Sequence, residues 1–233
     1  MVHAMNSVMK YWDMPMAQAL SEVMKLPMVR TLSRQICVPL CMLVALPVVA
    51  GDEWTLERSS GDVTIYSKQT AGFPLKEFRG ECEVNASLGT IRALMLDHDN
   101  HRKWFAMTRR ISLLRKVSLS SFTLNYVVAS PWPLADREAE VVVNARFDEE
   151  AGKGVVLLDA VRSGERTGKR GLASINEMHA KFVFTRLDDA RTGVVLYMRV
   201  DPGIDMPAGF QNDFLRDYPL NTLRGLRKMA AKR

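Results

Sequence analysis

The sequence predicts an α+β fold of the helix-grip kind: a curved antiparallel β-sheet wrapped around a long C-terminal α-helix, with an internal apolar cavity. Three observations predict it. Eight strand-like runs with turn signals between them lie between residues 62 and 200. One short helix interrupts them near residue 90, and the chain closes on an amphipathic helix that begins near Pro207. A single helix does not fill so long a concave sheet, and the space left over is a pocket.

The elements follow in order. Residues 62–68 (DVTIYSK) and 75–84 (LKEFRGECEV) alternate as strands. In the second, Phe78 and Cys82 share one face, while Leu75, Glu77, Arg79 and Glu81 share the other. Ser87 is a helix N-cap, and Leu88, Ile91, Leu94 and Met95 form one apolar stripe before Asp97. Six strands follow at 110–117, 121–130, 137–147, 153–161, 177–187 and 193–200, set apart by turn signals such as EEAGKG and LDDARTG. Met178, Ala180, Phe182 and Phe184 share one face of their strand, as do Val194, Leu196, Met198 and Val200, which is the pattern of antiparallel strands buried on one side. The stretch YVVASPWPLADREAEVVV (126–143) is not one strand, because Pro131 and Pro133 have no N–H for a ladder. It reads as strand, loop 130–136 and strand, with Trp132 at the loop tip. In the last helix, at about 100° per residue, Phe210, Phe214, Leu215, Tyr218, Thr222, Gly225, Leu226 and Met229 fall on one face. Asn212, Asp213, Arg216, Arg224 and Arg227 fall opposite, and a kink is expected at Pro219.

Composition sets the outer bounds. Of 233 residues, 47% are hydrophobic and 25% charged, which is the make-up of a globular chain with one core. The net charge of +6 is spread among acidic residues without a block of like charge. This argues against a nucleic-acid tail and is compatible with attraction to an anionic membrane surface. Arg30 and Arg34 precede the apolar run ICVPLCMLVALPVVA (36–50). At about 1.5 Å per residue this run is too short for a bilayer core of roughly 30 Å, and Pro39 and Pro47 weaken it as a helix. It reads as the core of a secretory signal peptide cleaved after Ala50. A start at Met28 gives a signal of ordinary length at 28–50, with 1–27 as an upstream extension outside the native product and 51–233 as the mature, periplasmic or secreted domain. Cys37 and Cys41 leave with the signal, and lone Cys82 has no partner for a disulfide.

Several polar clusters have compositions that suggest chemistry. DHDNH (97–101) has no familiar metal-ligand spacing and reads as a solvated helix end. GERTGKRG (164–171) is a residue short of a phosphate loop, and Arg170 stands where such a loop needs Ser or Thr, so it reads as a basic hairpin. Cys82 reads as a buried structural thiol. His179 lies opposite Phe182 and is expected to be exposed. In ADRE, alternation puts Arg137 on one face with Ala139, Val141 and Val143. Asp136 and Glu138 go to the other, toward solvent or a sheet edge, as ion-pairing groups. The expectation is a protein without catalysis, metal or cofactor.

Four runs then carry a resemblance: KEFRGECEVNASLGTIRALMLD (76–97), YVVASPWPLADRE (126–138), DPGIDMPAGFQN (201–212) and PLNTLRGLRK (219–228). In their order and spacing the chain resembles the START (StAR-related lipid transfer) domains, bacterial branch, of the Bet v 1-like superfamily, from about Asp52 to Lys228. The resemblance implies a lipid or other hydrophobic ligand in an enclosed tunnel, gated by the 130–136 loop and the C-terminal helix, with transient membrane contact and no nucleic acid. Set on the strand faces above, it implies a lining of Val141, Val143, Phe182, Phe184, Leu196 and Met198. Phe210, Phe214 and Tyr218 would come from the helix, and Trp132 would stand at the gate. The chain departs from the family at Ile204, where a second Gly is common, and at Phe182 and Gly209, where Trp is common. Val143 stands where some sterol-binding members carry Arg. Cyclases and aromatases of the same superfamily, acting on polyketide-type substrates, supply the alternative reading.

Overall fold

Alternation of apolar and polar residues builds most of the described fold. The computed structural model describes residues 53–161 and 171–233. The expected extension and signal peptide (1–50), and all of GERTGKRG but Gly171, lie outside the described residues. The chain divides into two units. One comprises Met1–Glu53 with Thr70–Gly72, of which only Glu53 and the 70–72 turn are described; the other, Trp54–Gln69 with Phe73–Arg233, is the fold that follows.

It contains strands β1 (Thr55–Ser60), β2 (Val63–Gln69) and β3 (Lys76–Val84), then helix α1 (Leu88–Leu96) and a 3-10 turn (His98–Lys103). Strands β4 (Thr108–Lys116), β5 (Ser121–Val128), β6 (Arg137–Asp148), β7 (Lys153–Val161), β8 (Ala173–Ser174), β9 (Glu177–Arg186) and β10 (Thr192–Asp201) follow, and helix α2 (Ala208–Ala230) ends the fold. The strands form one sheet in the order β1-β2-β3-β10-β9-β7-β6-β5-β4, with β8 beside β6. Every pairing is antiparallel except the short β6–β8 ladder. Ten strands therefore replace the eight expected. β1 (TLERSS) is mostly exposed and has almost no apolar alternation to betray it. The two-residue β8 is defined only by its register on Arg137 and Glu138. Gly61, at the β1–β2 turn, has φ of 61°, a conformation that residues with a Cβ seldom adopt.

Ser87 caps α1 as expected, its hydroxyl accepting from the Thr90 N–H at 3.2 Å. α1 packs its apolar stripe against β7 and β9. α2 lies mainly on β3, with further contact to β2 and β10. It comes very close at two glycines. A Cβ on Gly80 would meet Leu223 Cδ1 at 2.7 Å, and one on Gly225 would overlap the Trp104 carbonyl. Beside them the Thr222 hydroxyl accepts from the Ala106 N–H at 3.2 Å.

The buried face of α2 is the expected one except in its first turn, with Phe214, Tyr218 and Met229 also packed against the core. Gln211, Leu215, Pro219, Leu220, Thr222, Leu223, Leu226 and Ala230 face inward, while Phe210 is 51% exposed. The cause lies in the first turn. Gln211 turns in and its amide donates to the carbonyls of Ile204 (3.0 Å) and Met206 (2.7 Å), which displaces Phe210 to the outside. On the face expected to be solvated, Asn212 accepts from the Lys76 N–H at 2.9 Å, and Arg216 and Arg227 pair with Asp213 and Asp62.

Three polar expectations also change. His101 is not solvated but fully buried, because the 3-10 turn after α1 drives it under Tyr126. Glu138 is 5% exposed rather than at a free edge, since β8 lies alongside it, and its Oε1 has no hydrogen-bond partner among the described residues. His179 does lie on the outer face, but half-buried between Asp159 (2.7 Å) and Glu177 (3.5 Å). Cys82 is buried, and desolvation pushes its thiol up to about 12.

Candidate functional site

The inner faces of β6, β7, β9 and β10 converge on one pocket. Ala139 and Ala180 supply short side chains there, while Leu158, Phe182, Leu196 and Met198 supply long ones, so the wall recedes where the alanines stand. Phe214, Leu215 and Tyr218 of α2 close one side. Ala129 and Ser130 of the β5–β6 loop, with Pro202 and Ile204 of the β10–α2 loop, complete the lining. The cavity measures about 60 Å³ and opens to solvent. Of the twenty described residues that line it, only Tyr126, Ser130, Arg137 and Tyr218 are polar.

Of the residues expected to line a cavity, Phe182, Leu196, Met198, Phe214 and Tyr218 do so. Val141, Val143 and Phe184 are buried in the core but do not lie on the pocket wall. Phe184 is held between Phe182 and Phe147, with ring centroids 5.9 and 5.6 Å away. α1 and its apolar stripe cover that end of the sheet, so no space remains. Phe210 points out, as above. Trp132 is 92% exposed at the tip of a loop whose own Ala129 and Ser130 line the pocket. That loop turns through a Leu134 N–H bond to the Pro131 carbonyl (2.8 Å), and its Trp132–Pro133 peptide is cis. Asp136 braces it, accepting from the Ser130 N–H at 3.1 Å and pairing with Arg109 at 3.2 Å.

Sequence reasoning passed over Tyr126, Phe105, Ile175, Ile204 and Arg137. Tyr126 carried a signal, since it alternates with Phe122 and Leu124, all three buried. Alternation with Ala139, Val141 and Val143 puts Arg137 on the inward face, which marks it as part of a wall and not as a functional group.

The polar atoms are arranged with a definite proton order. His101 Nε2 lies 2.9 Å from the Met95 carbonyl and so must carry the hydrogen. Nδ1 then accepts from the Tyr126 hydroxyl at 2.9 Å. Burial pulls the His101 pKa down to about 4, and it pushes Tyr126 well above and Tyr218 to about 12, so all three are neutral near pH 7. Arg137, 7% exposed, donates from Nε to the Pro202 carbonyl at 3.1 Å and from Nη1 to the Ala135 carbonyl. Burial draws its pKa below the ordinary arginine value, but a guanidinium stays charged.

Comparison with solved structures identifies this architecture. The STAR-related lipid transfer protein (fragment 25–204) from Xanthomonas axonopodis superposes with a TM-score of 0.68 at 24% identity, over 77% of this chain and 99% of that one. The chain has the START fold. Human StAR-related lipid transfer protein 5 matches with a TM-score of 0.68 at 16% identity, over 77% of this chain and 86% of its own. Human STARD10 gives 0.67 at 13% identity, over 77% and 73%. An uncharacterized Pseudomonas aeruginosa protein is 26% identical over 182 residues, 78% of this chain and 89% of that protein. No protein-family model matches. In START terms, the pocket lies between the sheet and the single long C-terminal helix, beside the loop that carries Trp132.

Proposed function

We propose that this chain binds one lipid or other hydrophobic molecule in the pocket and exchanges it with a membrane surface, without catalysis. The observation that carries the reading is the pocket itself, apolar in sixteen of the twenty described residues that line it. The START fold, shared with structures described as lipid transfer proteins, supports it. Each methylene moved from water onto such walls contributes about 0.8 kcal/mol, so affinity accumulates along an apolar chain. Purified protein, extracted with organic solvent and analysed by mass spectrometry, should yield a lipid or fatty acid near one per chain. A chain that carries none and binds no fluorescent lipid analogue in titration would sink the proposal.

Entry is assigned to the 129–136 loop and the start of α2. Trp132 stands out between two prolines and Phe210 stands out from the first turn of α2, so both segments present a large apolar group to a bilayer interface. Replacing Trp132 with Ala should slow uptake from vesicles while changing stability by less than about 1 kcal/mol, the usual range for an exposed side chain. Export by the 28–50 signal belongs to the same proposal. N-terminal sequencing of the exported protein should begin at Gly51, and a mature start at or before Met28 would contradict it. The cyclase alternative needs acid–base groups in the cavity, and the neutral Tyr126–His101 pair offers none poised near pH 7.

A further inference from the structure

We infer that the ligand is an amphiphile with one anionic head, an oxyanion of the carboxylate or phosphate class, held by Arg137 at the end of the pocket that the β5–β6 and β10–α2 loops complete, with its tail directed away from them. The inference rests on the hydrophobic-ligand reading and narrows it to a chemical class.

Arg137 is the one formally charged residue among the described residues that line the pocket. Two of its nitrogens are satisfied by backbone carbonyls, of Pro202 and Ala135. The third, Nη2, has no hydrogen-bond partner among the described residues, and it is not among the polar atoms that the protein seals off. No carboxylate of the described residues forms an ion pair with this guanidinium. Its sequence neighbour Asp136 is committed to Arg109 and the Ser130 N–H, and Glu138 lies on the opposite face of β6. A guanidinium so deeply buried is costly without a counter-charge, and two carbonyl dipoles offset only part of that cost.

Direction follows from the neighbours. Ala135 and Pro202 belong to the two loops that complete the lining, so the cation stands at their end of the pocket, and Leu158, Phe182 and Leu196 form wall away from those loops. Tyr126 does not compete for an anion. The Tyr126 proton is committed to His101, so that hydroxyl can only accept. Ser130, also on the lining, makes no side-chain hydrogen bond among the described residues and is free to add an O–H donor. An oxyanion accepts from both, and a charge-assisted bond to guanidinium is about twice as strong as a neutral one.

The test compares three single-chain probes of equal tail length on delipidated protein at pH 8, below their micelle concentrations: dodecanoate, dodecyl phosphate and dodecanol. Calorimetry on the native chain should show at least one anion binding about tenfold or more tighter than the alcohol. A tighter dodecanoate assigns a carboxylate head and a tighter dodecyl phosphate a phosphate head; either result supports the inference. Dodecanol binding as tightly as both anions overturns it and leaves the hydrophobic-ligand reading intact, whereas a chain that binds none of the three loses both. Because Arg137 also ties two loops, the native-chain comparison stands apart from any variant. Where Arg137→Gln folds, it should bind dodecanol as the native chain does and lose the preference for the anion, and Arg137→Lys should keep part of it. A preference that survives in Arg137→Gln overturns the assignment.

Discussion

His101 is a base kept neutral by its surroundings, and that fixes a pH dependence. Its ordinary pKa of 6.5 falls to about 4 in the folded chain, chiefly by burial. Between those values the unfolded chain holds a proton that the folded chain does not. The stability tied to this residue is therefore complete above about pH 6.5 and is lost as the pH falls toward 4, on the order of 3 kcal/mol in all. Glutamine can accept from Tyr126 and donate to the Met95 carbonyl. His101→Gln should flatten the acid limb of stability, measured by urea unfolding between pH 7 and pH 4, and an unchanged limb would refute the assignment. Gly225 gives a second prediction, with a sign opposite to helix propensity. Gly to Ala inside a helix normally gains about 0.5–1 kcal/mol, but here the new Cβ strikes a backbone carbonyl that has no rotamer to yield. Gly225→Ala should lose about 1–3 kcal/mol by the same measurement. Neither residue was legible alone. DHDNH looks like a polar loop, and only the fold shows that one histidine of it is covered by Tyr126 and Met95.

For the elements, period was readable and depth was not. Alternation located β2, β3, β5, β6, β7, β9 and β10 to within a few residues, and for β6, β9 and β10 it chose the inward face correctly. It could not separate Phe182, which meets open space, from Phe184, which meets Phe147, because both lie on the same face two residues apart. α2 shows the other limit. Hydrophobicity ranks Phe210 above Gln211, yet the Met206 carbonyl at the end of the β10–α2 loop needs a donor, and Gln211 supplies it while also reaching the Ile204 carbonyl, which accepts from the Met206 N–H as well. The corrected face predicts a contrast within one helix. Phe210→Ser should change stability by less than about 0.5 kcal/mol, while Leu215→Ala should cost about 2–5 kcal/mol, by thermal or urea unfolding. Equal losses at the two positions would restore the helix face expected from sequence.

The whole molecule follows from an open sheet that is longer than its filling. α1 fills one end of the concavity and the pocket occupies the other, so core and cavity are parts of one apolar surface. Their sum was legible in the spacing of the strands, but the boundary between them was not, because it depends on where α1 lands. Ligand binding to such a site is linked to folding. At a free concentration of about 100 times Kd a ligand adds about 2.7 kcal/mol, which for a domain of this size raises Tm by roughly 5–10 °C. Differential scanning fluorimetry with a bound fatty acid or phospholipid reads this directly. Ala180→Phe, which places a ring in the space beside Phe182, should remove the shift while the variant keeps its cooperative melt.

The strand order carries a kinetic consequence. β3 pairs with β10 from Phe78–Met198 to Val84–Thr192, a contact that closes a loop of roughly a hundred residues and is slow to form for that reason. The strands before this seam and most of those after it are hairpin neighbours that can assemble locally. A chain emerging N-terminus first thus holds β3 as an unpaired edge until its last third has been made. During that interval, this bare strand is where the nascent protein is most open to mispairing with another copy of itself.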